Sequence, residues 1–336
     1  MEAAATEEQQ AGQEQLRTMS FGDHLEELRR RLGRSLVAIF VCVLALLPFK
    51  EEVTSIYTKP YRDMWMQGFV EYADDLVKRV EEKRQVVATA TGSIREAEAS
   101  SLALYEEKLA FIEEHRAAIE AGTFPFADHG DLIRNRGGYQ VSYHLVATRP
   151  IEDFWTFMAA SALMSALVAG PFVIYQLWSF VAAGLYRAER RAVLRYVPGA
   201  AILLLGGVSF GYLVVVPYGL YFLVQLMNFG QVQPMVSVSN YFSLLFMLTA
   251  ALGLVFQLPL VMLTLQKSGI VTHEAFIKNW RYVILGMFVV AAIFTPPDPF
   301  TQAMMAGPML VLYLFGLVLT GRSAKRSRAL EAVGTP

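Results

Sequence analysis

The sequence predicts an all-α polytopic membrane protein with six transmembrane helices, both termini cytoplasmic, and a helical hairpin inserted in the first external loop. Three observations carry that prediction. Hydrophobic residues make up 54% of the chain and charged residues 18%, and the mean hydropathy is +0.38. Those values are high for a soluble globular protein. The apolar residues fall in blocks near the length that crosses a bilayer. Lys and Arg gather at the ends of alternate blocks, which fixes an orientation.

The N-terminal residues 1–18 carry Glu2, Glu7, Glu8 and Glu14 and no apolar core. They are expected to be a disordered cytoplasmic tail rather than a cleavable signal peptide. Residues 19–49 follow as an amphipathic helix and the first span. Ser20 and Asp23 have the spacing of a capping box, so a helix should start there. Leu25, Leu28 and Leu32 share one face, and Glu26, Glu27, Arg30 and Arg31 point away from it. That pattern describes a helix lying on the membrane surface and feeding a span at about Leu32–Phe49.

Residues 50–150 are largely polar and read as an extracytoplasmic loop. From Glu71 to Ala121 there is no proline, and Ala, Glu, Lys and Arg abound. Leu76, Val80 and Val87, then Leu102, Leu109 and Ile112, recur at rough heptad spacing, interrupted at Thr91-Gly92-Ser93. An antiparallel helical hairpin over 71–121 is expected, with a lone helix as the alternative. Tyr139–Val146 alternates apolar and polar residues (Val141, Tyr143, Leu145) and predicts a short strand.

Residues 151–320 hold helices two to six. Pro150-Ile151-Glu152-Asp153 suits a helix start, and the second span runs from about Phe154 to Phe180. A basic loop carries Arg187, Arg190, Arg191 and Arg195. The third span, about Tyr196–Met227, contains Pro198 and Pro217. The connector Asn228–Asn240 has no charge. The fourth span is about Tyr241–Leu265, followed by Lys267, Lys278 and Arg281. Spans five (about Tyr282–Thr295) and six (about Phe300–Leu319) meet at Thr295-Pro296-Pro297-Asp298-Pro299. The tail, 321–336, is basic. Cationic residues thus mark the N-terminus, the 2–3 and 4–5 loops and the C-terminus, and both ends are expected in the cytoplasm.

Short motifs carry the functional reading. His24-Leu25-Glu26-Glu27-Leu28-Arg29-Arg30-Arg31-Leu32 resembles H-L-x-E-L-R-x-R-L, the N-terminal signature of the TatC family, the polytopic core of the twin-arginine protein translocase. The resemblance implies that Glu27 binds the paired arginines of a substrate signal peptide, with His24, Leu25, Arg29 and Arg31 around it. The plainer reading is an i,i+4 ion pair of Glu27 with Arg31, worth about 0.3–0.5 kcal/mol. Phe180 to Arg191 resembles F-x-x-P-G-L-x-x-x-E-R-R, with Ala183 where proline is usual. It implies Glu189 as the second contact, near Phe180, Leu185 and Arg190. A guanidinium is a planar fork that suits a carboxylate, and two carboxylates on separate segments can each hold one. The plainer reading of Glu189 is a solvated or locally paired carboxylate.

Phe256-Gln257-Leu258-Pro259 resembles the family's F-[E/Q]-x-P. It makes Gln257 and Pro259 candidates for an intramembrane polar, partner-binding site, against a helix–helix hydrogen bond beside a proline kink. Thr295 to Asp298 with Gln302 resembles T-P-P-D-x-x-S-Q. There Pro296, Pro297 and Asp298 are expected to shape a tight turn. Pro308 to Tyr313 resembles P-x-x-x-L-Y-E, with Leu314 for the glutamate. The resemblance covers 19–65 and 145–320 and leaves the hairpin out.

The family reading implies a receptor and core subunit in the bacterial inner membrane, binding twin-arginine signal peptides of folded precursors. It implies TatA- and TatB-like single-span partners, an oligomeric complex in the lipid bilayer, energy from the proton-motive force, and no covalent chemistry. No cofactor, metal or nucleic acid is expected. Cys42 is the lone cysteine, so an intrachain disulfide is excluded. A small-solute secondary transporter is the alternative, although inverted repeats and midplane charges are not apparent. Gly207-Val208-Ser209-Phe210-Gly211 spells G-x-S-x-G, but inside an apolar helix where no nucleophile elbow can form. As GxxxG it serves close helix packing instead.

Overall fold

A computed structural model describes residues 21–183, 195–226 and 235–333. The elements are α1 (Phe21–Leu46), α2 (Lys50–Thr89), α3 (Gly92–Glu120), α4 (Phe126–Asn135), α5 (Glu152–Val168) and α6 (Gly170–Ala183). They continue with α7 (Val197–Phe210), a π turn (Gly211–Val215), α8 (Val216–Gln225), α9 (Val238–Val255) and α10 (Leu258–Lys267). The last three are α11 (His273–Lys278), α12 (Trp280–Phe294) and α13 (Pro299–Val333). Three helices among the described residues are long and apolar enough to cross a membrane: Val197–Gln225, Val238–Lys267 and Pro299–Lys325. Counting the bent pairs α1/α2 and α5/α6 as one span each gives up to five, and α12 is a shorter apolar helix.

The chain divides into two compact units. One comprises Met1–Thr54, Phe157–Val216 and Leu244–Pro336, and the other Ser55–Thr156 and Pro217–Ser243. In the first, α1 runs unbroken from Phe21, so the surface helix and the span expected from the sequence are one element. The Ser20 cap lies outside the described residues. The second apolar block is not straight. It bends by 62° at Ala169 between α5 and α6, because Pro171 has no N–H to offer the Leu167 carbonyl and its ring crowds that turn. Pro217 acts similarly on the third block. There the Val216 N–H reaches back five residues to the Gly211 carbonyl, making the π turn. Pro259, at the start of α10, breaks the fourth block at Phe256-Gln257. Gly207 lets α7 and α9 approach closely. A Cβ there would lie 2.6 Å from the Leu252 carbonyl oxygen.

In the second unit α2 and α3 run antiparallel. Lys83 pairs with Glu98 at 2.7 Å, Arg84 with Glu106 at 2.9 Å and Asp74 with Arg116 at 2.9 Å. The turn between the helices passes through Gly92 at φ +63°, a backbone that glycine adopts without strain. The helix that carries Glu71 begins at Lys50. Leu76 and Val80 on α2 and Ile112 and Ile119 on α3 are fully buried, whereas no side chain from Glu81 to Phe111 is.

The base of this unit is an aromatic core. Trp65 stacks on Phe69 and meets Phe126, Tyr139 and Tyr143 edge-on, and Phe126 stacks on Tyr143 at 3.7 Å between centroids. Such pairs add to area burial. Burial raises the phenol pKa values of Tyr61 and Tyr139 and pushes Tyr72 up to about 12.

The strand expected at Tyr139–Val146 does not form. Among the described residues the only β pairing there is one parallel bridge, Val146 to Ser237. The reason lies in side chains far away in the sequence. The indole Nε1 of Trp65 donates to the Val141 carbonyl at 2.9 Å, and the Tyr61 hydroxyl donates to the Ser142 carbonyl. Side chains, rather than a neighbouring strand, satisfy this backbone. Glu152 then pins the segment. Its carboxylate accepts from the N–H groups of Thr148 (2.6 Å), Arg149 (3.0 Å) and Ser239 (2.7 Å) and from the Thr148 hydroxyl.

Candidate functional site

The site lies in the first unit, where α1 packs against α6. Residues 24, 27 and 31 share one side of α1 by helical spacing, as 176 and 180 do on α6. The Arg31 Nε donates to Glu27 Oε1 at 2.7 Å, and Nη2 lies 2.5 Å from the same oxygen. Arg31 Nη1 reaches Gln176 Oε1 at 3.4 Å. These side chains keep only 13% (Arg31) and 17% (Glu27) of their surface, and Gln176 is buried. The His24 ring stacks on Phe180 at 4.4 Å with 23° between planes. His24 Nδ1, also buried, has no hydrogen-bond partner among the described residues.

The helix face that turns inward is therefore the polar one. Leu25 and Leu32 are about half exposed, at 49% and 55%; none of the described residues covers that stripe, and a bilayer can. Ser35 continues the inner face. It is buried and donates to the Arg31 carbonyl at 3.0 Å. Arg29 and Arg30 point outward and, among the described residues, pair at 3.9 Å with Glu26 and Glu27. The structure thus gathers His24, Glu27, Arg31 and Phe180, and leaves Leu25 and Arg29 on the surface. Leu185, Glu189 and Arg190 lie outside the described residues. Gln176 was not singled out from the sequence. Its one signal there is an amide in the middle of an apolar run.

Gln257 and Pro259 occupy the break between α9 and α10. Gln257 is buried, and its Nε2 donates to the Ala200 carbonyl on α7 at 2.9 Å. Its Oε1 has no partner among the described residues. Beside it Ile174, Trp178, Ala182, Ala200 and Leu260 form an apolar cluster. The bond to Ala200 satisfies a carbonyl of α7, so Gln257 joins two helices at a kink. At the other motif, Pro296-Pro297-Asp298 leads into α13. Asp298 is buried, its Oδ1 accepts from the Thr301 N–H at 2.7 Å, and the Thr301 hydroxyl donates to Oδ2. Asp298 caps α13, and a carboxylate there also favours the helix dipole. Ser209 sits within α7, so it occupies no strand-to-helix elbow.

Long apolar helices broken at prolines, and an arginine–carboxylate pair held against an amide and an aromatic ring, define a multi-pass helical membrane protein. The family described as "Sec-independent protein translocase protein (TatC)" matches residues 23–308, and the chain belongs to it. A TatC protein of Koribacter versatilis is 39% identical over 194 residues, covering 56% of this chain and 71% of the relative. TatCy of Bacillus subtilis is 32% identical over 183 residues, covering 54% and 72%. Among solved structures, "Crystal Structure of Twin Arginine Translocase Receptor- TatC" superposes with a TM-score of 0.59 at 25% identity, over 90% of this chain and 99% of that one. The chain is thus a component of the twin-arginine translocase, a membrane transport subunit. Nothing in these relationships supports the small-solute transporter.

Proposed function

We propose that this chain is the receptor subunit of the translocase. It binds the paired arginines of signal peptides on folded precursors through Glu27 and Glu189, and works in an oligomeric complex with TatA- and TatB-like single-span proteins. The observation that supports this reading is the state of Glu27. Its carboxylate already holds a guanidinium through two nitrogens, beside the His24–Phe180 stack. A pocket that fits the Arg31 guanidinium fits that of another chain. Leu185 and Arg190 would flank Glu189, and Gln257 and Pro259, buried against this chain's own helices, would brace the helix break from within. The six apolar blocks and the alternation of basic loops support six spans with both termini in the cytoplasm of a bacterial inner membrane. The subunit makes no covalent change. Each unit charge that falls through 100 mV releases about 2.3 kcal/mol, so the membrane gradient can drive export.

The test is binding of a fluorescent twin-arginine signal peptide to the purified full chain in detergent. Glu27→Gln and Glu189→Gln should each weaken binding by about 10- to 150-fold, the loss of one charge-assisted pair of about 1.5–3 kcal/mol. Unchanged binding by the double variant refutes the assignment.

A further inference from the structure

The chain enters α12 through an elbow that faces outward as a whole. Every residue from Ile277 to Tyr282 is exposed. The stretch carries Lys278 and Arg281 among Ile277, Trp280 and Tyr282, and the sequence holds no acid between Glu274 and Asp298. Asn279 closes α11 and opens α12 at φ −98° and ψ 17°. Those angles lie close to the helical region, so Lys278 and Arg281 stand about one turn apart. The Arg281 guanidinium lies over the Trp280 ring. The elbow is braced from behind by α13. The Tyr313 hydroxyl donates to the Phe276 carbonyl at 2.7 Å, and His273 Nδ1 lies 2.9 Å from Thr320 Oγ1. Along α12 from the elbow, Tyr282, Leu285, Val289 and Ile293 recur at helical spacing and are all exposed. At 1.5 Å per residue this stripe is about 16 Å long, close to half of a hydrocarbon core of about 30 Å.

We propose that this elbow binds one anionic phospholipid, its phosphate between Lys278 and Arg281 and an acyl chain along the stripe from Tyr282 to Ile293. The shape carries the argument. Two cations without an acid stand at the head of an apolar stripe one leaflet deep, and Trp280 and Tyr282 are amphipathic rings suited to the level between them. A soluble anion would use the cations and leave the stripe bare. A zwitterionic headgroup would bring its own cation towards two others, so an anionic one is preferred. That the lipid belongs to the cytoplasmic leaflet rests on the topology proposed above. The site itself does not.

The experiment places a bimane label on Asn279→Cys in a Cys42→Ser background, with the full chain in phosphatidylcholine nanodiscs. As the N-cap of α12, Asn279 makes no side-chain hydrogen bond that the label would break. Quenching is followed as acyl-brominated phosphatidylglycerol, or brominated phosphatidylcholine, replaces part of the lipid. Nanodiscs are open on both faces, so the readout is independent of topology, which cysteine labelling in cells tests separately. Half-quenching should need about 30-fold less phosphatidylglycerol than phosphatidylcholine, about fivefold for each cation. Lys278→Gln and Arg281→Gln should each lower that ratio about fivefold, and together bring the two lipids level. Arg322→Gln with Lys325→Gln removes the same charge from exposed sites on α13 and should leave the ratio unchanged. Equal quenching by the two lipids in the parent protein, or a ratio unmoved by the elbow variants, overturns the proposal. An equal fall in the α13 double variant also overturns it, because the preference would then follow total charge. Loss of the preference in excess free glycerol phosphate would assign the cations to a soluble phosphate and overturn the lipid. Gel filtration checks assembly, and if the double elbow variant does not assemble, Lys278→Gln alone decides on its fivefold change.

Discussion

Replacing Gly207 with alanine should destabilise the packing of α7 against α9 although alanine is the better helix former. The added Cβ would sit 2.6 Å from the Leu252 carbonyl oxygen and 2.8 and 2.9 Å from Phe256 Cγ and Cβ. Ordinary carbon contacts lie near 3.5–4.0 Å, so the helices must part by most of an ångström, and a backbone oxygen cannot rotate aside. Overpacking of this kind costs about 1–3 kcal/mol. Gly286 on α12 supplies the control, because a Cβ there meets nothing within 4 Å. Gly286→Ala should gain the helix propensity of up to about 1 kcal/mol with no clash. Thermal unfolding of both variants in one detergent cancels the propensity term. With about 2–4 °C per kcal/mol for a unit of this size, Gly207→Ala should melt about 2–12 °C below Gly286→Ala. Equal melting temperatures would refute the close approach of α7 and α9.

Two further outcomes are expected. Replacing Glu81–Phe111 by a short Gly/Ser linker should leave membrane insertion and signal-peptide binding within about twofold of wild type, since no side chain in that stretch is buried and insertions are tolerated where few contacts are lost. Cutting at Glu71 and Ala121 instead removes Leu76, Val80, Ile112 and Ile119 from the core, and protease sensitivity of the remaining loop should then rise. Orientation is read by cysteine labelling in a Cys42→Ser background. Asn240→Cys should label from outside and Arg187→Cys only from inside, and the reverse pattern overturns the proposed topology.

Features set by neighbours in the chain could be read in the sequence, and those set by distant partners could not. Thr91-Gly92-Ser93 marks where α2 gives way to α3, because a positive φ needs glycine. Gly207 and Gly211 mark a helix crossing, because only small residues allow it. The Glu27–Arg31 pair follows from helical periodicity alone. Its partner Gln176 is 145 residues away, and no local rule points to it. The same limit explains Tyr139–Val146. Alternation is a fair strand signal, but here Tyr61 and Trp65 spend their hydrogen bonds on the backbone of that segment, which only the assembled core reveals. Proline positions showed that blocks would break. They could not show that Pro171 would give a 62° bend and Pro217 a π turn, because the outcome depends on which carbonyls find other donors. The wider second unit escaped notice for a different reason. Its core is built of aromatics spaced irregularly from Trp65 to Tyr143, without a repeat.

The brevity of α12 has a consequence for the lipid around it. Fifteen residues rise about 22 Å at 1.5 Å each, against a hydrocarbon thickness of about 30 Å. On the six-span reading this helix falls short by about 8 Å, and the shortfall must be absorbed by deformation of the membrane or by its flanks. The flank at the start is equipped for it. Trp280 and Tyr282 are exposed, and the Arg281 guanidinium lies 5.7 Å from the Trp280 ring centre, the residue types that settle at an interface. The other end offers Thr295-Pro296-Pro297 and a buried Asp298, with no cation to reach outwards. The two leaflets would therefore be strained unequally beside α12, with the greater thinning on the side of the proline turn.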